Sequence, residues 1–176
     1  KVVVIQNNLL KILKKKILIL GIDGMIGHKI AQLLEQENNL FGTTRKKISP
    51  IKIGLKTSKL IEKDFDKNQS LSFLDNINPD IIINCVGITT RRINNDNISN
   101  LDFINSRLPH YLNKWTEKND KRLIHFSTDC VYSGKTGMYT ERDNPDAIDL
   151  YGKSKAIGEI NNTKALTIRT SLIGRE

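Results

Sequence analysis

A glycine-rich turn between an apolar run and a helical pattern constrains the fold of this chain more than any other feature. Residues 16–21 are apolar after Lys16 and end in glycine, which is typical of a strand buried on both faces of a parallel sheet. Glycine recurs at positions 24 and 27, and residues 24–37 show the spacing of an amphipathic helix. The side chains predicted to line its buried face are Ile26, Ile30, Leu33 and Leu34. This order of strand, turn and helix predicts the start of a βαβ unit.

The alternation of strand and helix patterns continues to the end of the chain. Further strands are predicted at 40–45, 60–61, 81–87, 122–127 and 165–171, and further helices at 70–77, 98–118 and 151–160. Pro109 lies inside the longest of these helices, where it either kinks the helix or marks its true start. Such alternation predicts a doubly wound parallel α/β sheet, the Rossmann architecture. We therefore expect one dinucleotide-binding Rossmann domain over residues 16–176, preceded by an extension over residues 1–15.

Composition narrows the class of protein. Hydrophobic residues make up 38% of the chain and charged residues 27%, which is ordinary for a globular domain, and no apolar run is long enough to span a bilayer. The net charge of +9 comes from scattered lysines without interleaved aromatic residues, so we expect no nucleic-acid partner. Cys85 and Cys130 have no metal-ligand spacing, and we expect two small buried residues, no metal site and a cytoplasmic location.

The spacing Gly21-x-x-Gly24-x-x-Gly27 indicates a phosphate-binding turn. Glycine permits a tight turn and lets backbone N–H groups approach a pyrophosphate, and the amino terminus of the following helix favours negative charge. The alternative is a glycine turn that only packs the helix on the strand. The strand before the turn and the helix after it favour dinucleotide binding.

The end of the second strand bears on which dinucleotide is bound. An NAD site of this type carries an acidic residue there, which binds the ribose 2′-hydroxyl. In this chain Thr44 is followed by Arg45, Lys46 and Lys47 instead. Arg45 would be a charge-assisted partner for a 2′-phosphate, so NADP(H) is favoured over NAD(H), the alternative being a solvated basic loop.

Tyr151 and Lys155 stand four residues apart, a spacing that places both on one face of a helix. An ammonium close to a phenol favours the phenolate, so we expect the pKa of Tyr151 to lie below its usual ~10. A phenol tuned in this way can pass a proton to a carbonyl oxygen. Taken alone, the spacing is also that of an ordinary exposed helix pair.

Several motifs in one order resemble the extended short-chain dehydrogenases/reductases, and most closely their nucleotide-sugar reductases of the dTDP-4-dehydrorhamnose reductase type. Besides the glycine turn, they are Asp64-Phe65, Asn84-Cys85-Val86-Gly87, Ser127-Thr128-Asp129-Cys130-Val131-Tyr132 and Tyr151-Gly152-Lys153-Ser154-Lys155-x-x-Gly158-Glu159. The resemblance covers roughly residues 16–175. It implies NADPH-dependent reduction of a 4-keto nucleotide sugar, in the synthesis of deoxysugars and surface polysaccharides.

The resemblance also implies a role for each matching residue. In the cofactor site, the pyrophosphate would meet Gly24, Met25 and Ile26, the adenine Asp64 and Phe65, and the ribose and nicotinamide Cys85, Val86, Gly87 and Thr89. In the catalytic site, Thr128 would hydrogen-bond the substrate carbonyl with Ser127 beside it, Tyr151 would be the general acid, and Lys155 would bind the nicotinamide ribose. His125, just before these residues, is interpreted as a packed strand residue.

Two alternatives remain open at this point. One is a sugar-nucleotide epimerase or dehydratase of the same family, although Cys130 stands where a dehydratase usually carries Glu. The other is a non-catalytic, dinucleotide-binding regulatory subunit such as that of methionine adenosyltransferase.

The resemblance further implies a smaller substrate domain, for which the 176 residues leave no room, so we expect this sequence to be a fragment that lacks it. Whether the chain forms a homodimer is also left open.

Overall fold

Within the part of the chain that the structure describes, six parallel strands form one central sheet. The computed structural model describes residues 14–66, 71–93 and 98–171, so the predicted extension lies almost wholly outside the described residues. The strands are β1 (Lys16–Leu20), β2 (Asn39–Thr44), β3 (Lys59–Glu62), β4 (Ile81–Asn84), β5 (Arg122–Ser127) and β6 (Ala165–Arg169). Their order across the sheet is β3-β2-β1-β4-β5-β6. This order confirms the predicted Rossmann architecture.

The strand order reverses between β1 and β4, and this reversal determines where a ligand can bind. The chain leaves β1 toward β2 and β3 on one side, then returns to β4 and continues to β5 and β6 on the other. The segments that follow β1 and β4 therefore diverge and leave a crevice at the carboxyl ends of the strands.

The helices pack on the faces of the sheet. They are α1 (Met25–Leu34), α2 (Phe73–Ile77), α3 (Ile98–Leu101), α4 (Leu108–Lys118) and α5 (Leu150–Ile157). A π-helical segment, Asp102–Arg107, joins α3 to α4, and Pro109 lies in the first turn of α4. The Leu108 amide donates to Phe103 O, so the chain stays helical from Ile98 to Lys118 and Pro109 lies inside this helix, directly after its π-helical segment. Within the described residues, no helix is both long and apolar enough to cross a membrane.

Strand β1 explains why its sequence is apolar without alternation. Leu18 and Leu20 belong to the hydrophobic core on one face of the sheet, and Ile17 and Ile19 belong to the core on the other face. Leu18, Ile19 and Leu20 have no exposed surface. Burying each such side chain contributes about 1.5–3 kcal/mol, so this short strand anchors both layers.

The predicted buried face of α1 is wrong at Leu33. That side chain is 79% exposed, whereas Gly27 and Ala31 are buried. A Cβ on Gly27 would lie 2.2 Å from the carbonyl oxygen of Gly21, so the helix touches the turn through its smallest residues. Because α1 contacts the turn at Gly27, the helix face that carries Gly27 and Ala31 is buried and Leu33 faces solvent.

Candidate active site

The glycine turn has the geometry of an anion-binding helix start. Gly21 adopts a φ of +74°, a conformation that side chains other than glycine rarely take, and its carbonyl accepts a hydrogen bond from the Gly24 amide at 3.0 Å. Gly24 precedes α1, and neither a capping side chain nor an acidic residue occupies the first turn. The first amides of α1 have no acceptor within the helix. These amides and the helix dipole are therefore available to a phosphate group.

A groove of about 460 Å³ runs from this turn across the ends of β2 and β3. It brings together eight of the predicted cofactor residues: Gly21, Gly24, Arg45, Asp64, Phe65, Cys85, Val86 and Gly87. The sequence did not predict Asp23, Lys63, Asp66 or Arg92, which also line the groove. The groove thus carries cations and carboxylates together.

A second cleft, of about 430 Å³, opens beyond the Cys85–Gly87 segment. Its walls contain Met25, Ile26, Thr89, Ser127, Thr128, Tyr151 and Lys155. The groove and the cleft share Cys85, Val86 and Gly87 as a common wall. The structure therefore brings together all predicted site residues except Gly27, which packs α1 on the turn.

Larger cavities also occur among the described residues, one of about 690 Å³ and one of about 900 Å³. The first is at the amino-terminal ends of β1 and β2 and the second is beside β6, and neither is lined by Tyr151, Lys155 or the glycine turn. The candidate active site is therefore assigned from the residues that line it and not from the volume of the cavity.

Helix α5 places Tyr151 and Lys155 in the cleft. Asp149 caps the helix by accepting a hydrogen bond from the Gly152 amide at 2.9 Å. A Cβ on Gly152 would lie 2.2 Å from the carbonyl oxygen of Cys130, so only glycine lets α5 pack this closely on the turn after β5. That packing sets the position of Tyr151, the residue before Gly152.

Lys155 is buried and held in place by the backbone. Its side chain is 4% exposed, and its Nζ donates to the carbonyl oxygen of Phe126 at 2.7 Å. Burial lowers the pKa of Lys155 to about 8, although Glu159 and Cys85 oppose the shift. A Cβ on Gly87 would lie 3.9 Å from the Lys155 Nζ, which places the ammonium beside the shared wall.

The prediction that the pKa of Tyr151 lies below its usual value is wrong, because the structure raises this pKa. Burial raises the pKa of Tyr151, and although a hydrogen bond with Thr128 lowers it, Cys130 and two carboxylates, Asp129 and Asp149, raise it further. Sequence spacing located the ammonium but did not show that Lys155 is engaged with a backbone carbonyl. Tyr151 is therefore a protonated phenol at neutral pH.

The two residues at the end of β5 have different surroundings. The Oγ1 of Thr128 accepts a hydrogen bond from the Cys130 amide and donates to Asp129, both at 3.2 Å. The Ser127 hydroxyl donates to Glu159 Oε1 at 2.7 Å, and Glu159 forms a two-bond ion pair with Arg169. Ser127 thus has a structural partner within the protein, and its assignment as a catalytic residue stays a prediction.

Sequence reasoning missed Asn105 in the π-helical segment. Its side chain is fully buried, accepts from the Ile88 amide at 2.8 Å, and donates to Ile88 O at 2.9 Å and to Ser154 Oγ at 3.0 Å. These bonds tie the loop after β4 to α5, the helix that carries Lys155. The available signal was an amide residue in the middle of an otherwise apolar helix face.

Both cysteines are free thiols, and the prediction that both are buried is wrong for Cys130. Cys85 is half-buried, and loss of solvation raises its pKa to about 12, whereas Cys130 is exposed on the turn after β5. Cys130 follows the strand rather than belonging to it, so the sheet does not cover it. Among the described residues, no group of three or more His, Cys, Asp or Glu could hold a metal ion.

The cleft therefore combines a phenol, a buried ammonium and a hydroxyl next to a helix start suited to phosphate. The RmlD substrate binding domain family matches residues 15–174. The chain belongs to this family. The residues that match the RmlD family include the glycine turn, the groove, the cleft and α5.

Comparison with individual proteins agrees with this family. A dTDP-4-dehydrorhamnose reductase of Aggregatibacter actinomycetemcomitans is 29% identical over 161 residues, which cover 89% of this chain and 51% of that protein. The chain thus spans about half the length of this relative. Over 37 residues it is 51% identical to the methionine adenosyltransferase 2 subunit beta of Danio rerio, covering 21% of the chain and 12% of that protein. A hypothetical dTDP-4-dehydrorhamnose reductase of Sulfolobus tokodaii has a TM-score of 0.75 at 26% identity, covering 88% of this chain and 55% of that structure.

Proposed function

We propose that this chain is the dinucleotide-binding part of an NADPH-dependent reductase that acts on a 4-keto nucleotide sugar, as in dTDP-4-dehydrorhamnose reductase. The observation that carries the proposal is the shared Cys85–Gly87 wall. It joins the groove of the glycine turn to the cleft of Tyr151 and Lys155. A ligand that fills the groove would thus end beside a proton donor.

The residues of the groove fit a dinucleotide. The turn offers unpaired helix amides for the pyrophosphate, and the largely buried Phe65 lies at the far end of the groove for the adenine. Arg45 lines the same end and would pair with a 2′-phosphate, which favours NADPH. A bound NADPH supplies the hydride, and the residues of this chain supply its position and the proton.

The raised pKa of Tyr151 suits the direction of reduction. A keto oxygen that gains negative charge needs a proton donor, and a phenol that is protonated at neutral pH holds that proton until it is needed. Thr128 would donate a second hydrogen bond to the same oxygen once its hydroxyl turns away from Asp129, to which it donates in the structure. Lys155, with a pKa of about 8, is mostly cationic at pH 7 and would bind ribose hydroxyls.

A second candidate is a non-catalytic, dinucleotide-binding regulatory protein. The short match to methionine adenosyltransferase 2 subunit beta favours it, because that protein is named as a subunit. This candidate predicts dinucleotide binding without ketone reduction. The two candidates therefore separate in an activity assay.

The test uses NADPH oxidation at 340 nm with dTDP-4-keto-6-deoxy sugar as the substrate. It is applied to this chain and to a form carrying the remaining half of the length of the relatives. We expect turnover in the longer form, and Tyr151→Phe should remove most of it while leaving NADPH affinity within about twofold, because the phenol acts in the chemical step. A form that binds NADPH but reduces nothing would support the regulatory candidate.

A further inference from the structure

His125 and Asn84 form a buried polar pair inside the sheet. His125 of β5 lies opposite Asn84 of β4 in the strand register, and neither side chain has exposed surface. The sequence suggested that His125 only packs in its strand. Its hydrogen bonds indicate a more specific role.

The bonds around Asn84 fix the position of the imidazole proton. The Val86 amide donates to Asn84 Oδ1 at 3.2 Å, so the Asn84 Nδ2 group must point away from Val86. Nδ2 lies 3.1 Å from His125 Nδ1. Since an amide NH₂ group can only donate, Nδ1 is the acceptor and the proton of the neutral ring lies on Nε2. Burial and the charge of Lys155 keep the pKa of His125 well below its usual value, which maintains the neutral form.

The other side of the ring shows that His125 is a poor choice for packing alone. Its Nε2 is buried and has no hydrogen-bond partner among the described residues. A buried donor without a partner is destabilising, and an apolar side chain of similar volume would avoid that cost. Unlike an apolar side chain, the imidazole provides an acceptor at Nδ1, and this acceptor orients the side chain of Asn84.

We propose that His125 is a positioning residue that fixes the Cys85–Gly87 wall through Asn84 and the Val86 amide. This inference rests on the proposed function, in which that wall contacts the nicotinamide end of the cofactor. Val86 lines both the groove and the cleft. A change at His125 would therefore weaken binding of the nicotinamide half and leave the adenosine half, which lies at Arg45 and Phe65, unaffected.

The test compares three substitutions at one position. His125→Leu and His125→Gln remove the acceptor at the Nδ1 position, the second with a polar side chain in case the first does not fold. His125→Asn is the matched control, because its Oδ1 can occupy the Nδ1 position and accept from Asn84. The measurements are hydrogen exchange of the Val86 amide by NMR, and calorimetric affinities for NADPH and for adenosine 2′,5′-bisphosphate, which lacks the nicotinamide half.

In the Leu and Gln variants we expect faster Val86 exchange, an NADPH affinity lowered by about fivefold or more, and bisphosphate affinity within about twofold of the original. The Asn variant should recover most of the NADPH affinity. Unchanged Val86 exchange, or equal weakening of both ligands, would overturn the inference.

If the original chain binds neither ligand, the proposed function fails. In that case faster Val86 exchange in the Leu and Gln variants would still support the coupling, and unchanged exchange would refute it.

Discussion

Replacing Gly27 by alanine tests whether α1 is set by contact with the glycine turn. In an ordinary helix this change stabilises a protein by up to about 1 kcal/mol, because alanine has the higher helix propensity. Here the new Cβ would lie 2.2 Å from Gly21 O and 3.0 Å from both Gly21 C and Ile22 Cα, and contacts under 3.0 Å are essentially never seen. All three atoms are backbone, so the turn itself must shift.

Overpacking costs about 1–3 kcal/mol, and a contact as short as 2.2 Å with backbone belongs to the upper part of that range, about 2–3 kcal/mol, which exceeds the gain in propensity. We expect a net loss of about 1–2 kcal/mol in the free energy of unfolding, which corresponds to a fall of about 2–8 °C in Tm for a chain of this size. Gly87→Ala is the matched control, because its Cβ would meet only side-chain atoms, at 3.6 and 3.9 Å. Thermal unfolding by circular dichroism measures both variants. A Gly27→Ala protein at least as stable as the original would refute the close-contact argument.

Two other predictions concern charge. Arg45→Ala should weaken NADPH binding about tenfold or more and leave NADH binding nearly unchanged, because it removes a charge-assisted partner of the 2′-phosphate; an equal effect on both would contradict that role. Glu35→Gln should lower stability at pH 7 by about 2–3 kcal/mol. Burial alone would raise the pKa of Glu35, but hydrogen bonds from Lys56, Thr57 and Ser58 lower it to about 2. Because the folded pKa is depressed, the stability difference is present above the ordinary pKa and disappears as pH falls from about 4.5 to 2, which urea unfolding across pH would show; a pH-independent difference would contradict it.

The architecture could be predicted from the sequence because local patterns and tertiary contacts agree. The apolar run of β1 is buried in two cores, and the glycines of the following turn stand where backbone atoms approach closely. Motif order also predicted which segments meet at the carboxyl edge of the sheet. This follows from parallel topology, in which the segments after β1, β4 and β5 all begin at that edge and border the crevice.

What the sequence could not predict depends on individual side-chain contacts. Leu33 fits a helical stripe as well as its neighbours do, and only the contact at Gly27 shows which way α1 is turned. The i, i+4 spacing of Tyr151 and Lys155 is correct, but the pKa of Tyr151 depends on burial and on the Lys155 bond to Phe126 O. An amide on an apolar helix face marks Asn105 only as unusual, because the partners that define its role lie 17 and 49 residues away.

Calorimetric titration of this chain with NADPH tests the central claim most directly. The claim is that the glycine-turn groove and the Tyr151 cleft form one dinucleotide site. The structure predicts one NADPH bound per chain, with higher affinity than NADH and with protection of the Val86 amide and the first amides of α1 in NMR spectra. Saturating NADPH without heat of binding or change at those amides would contradict the account.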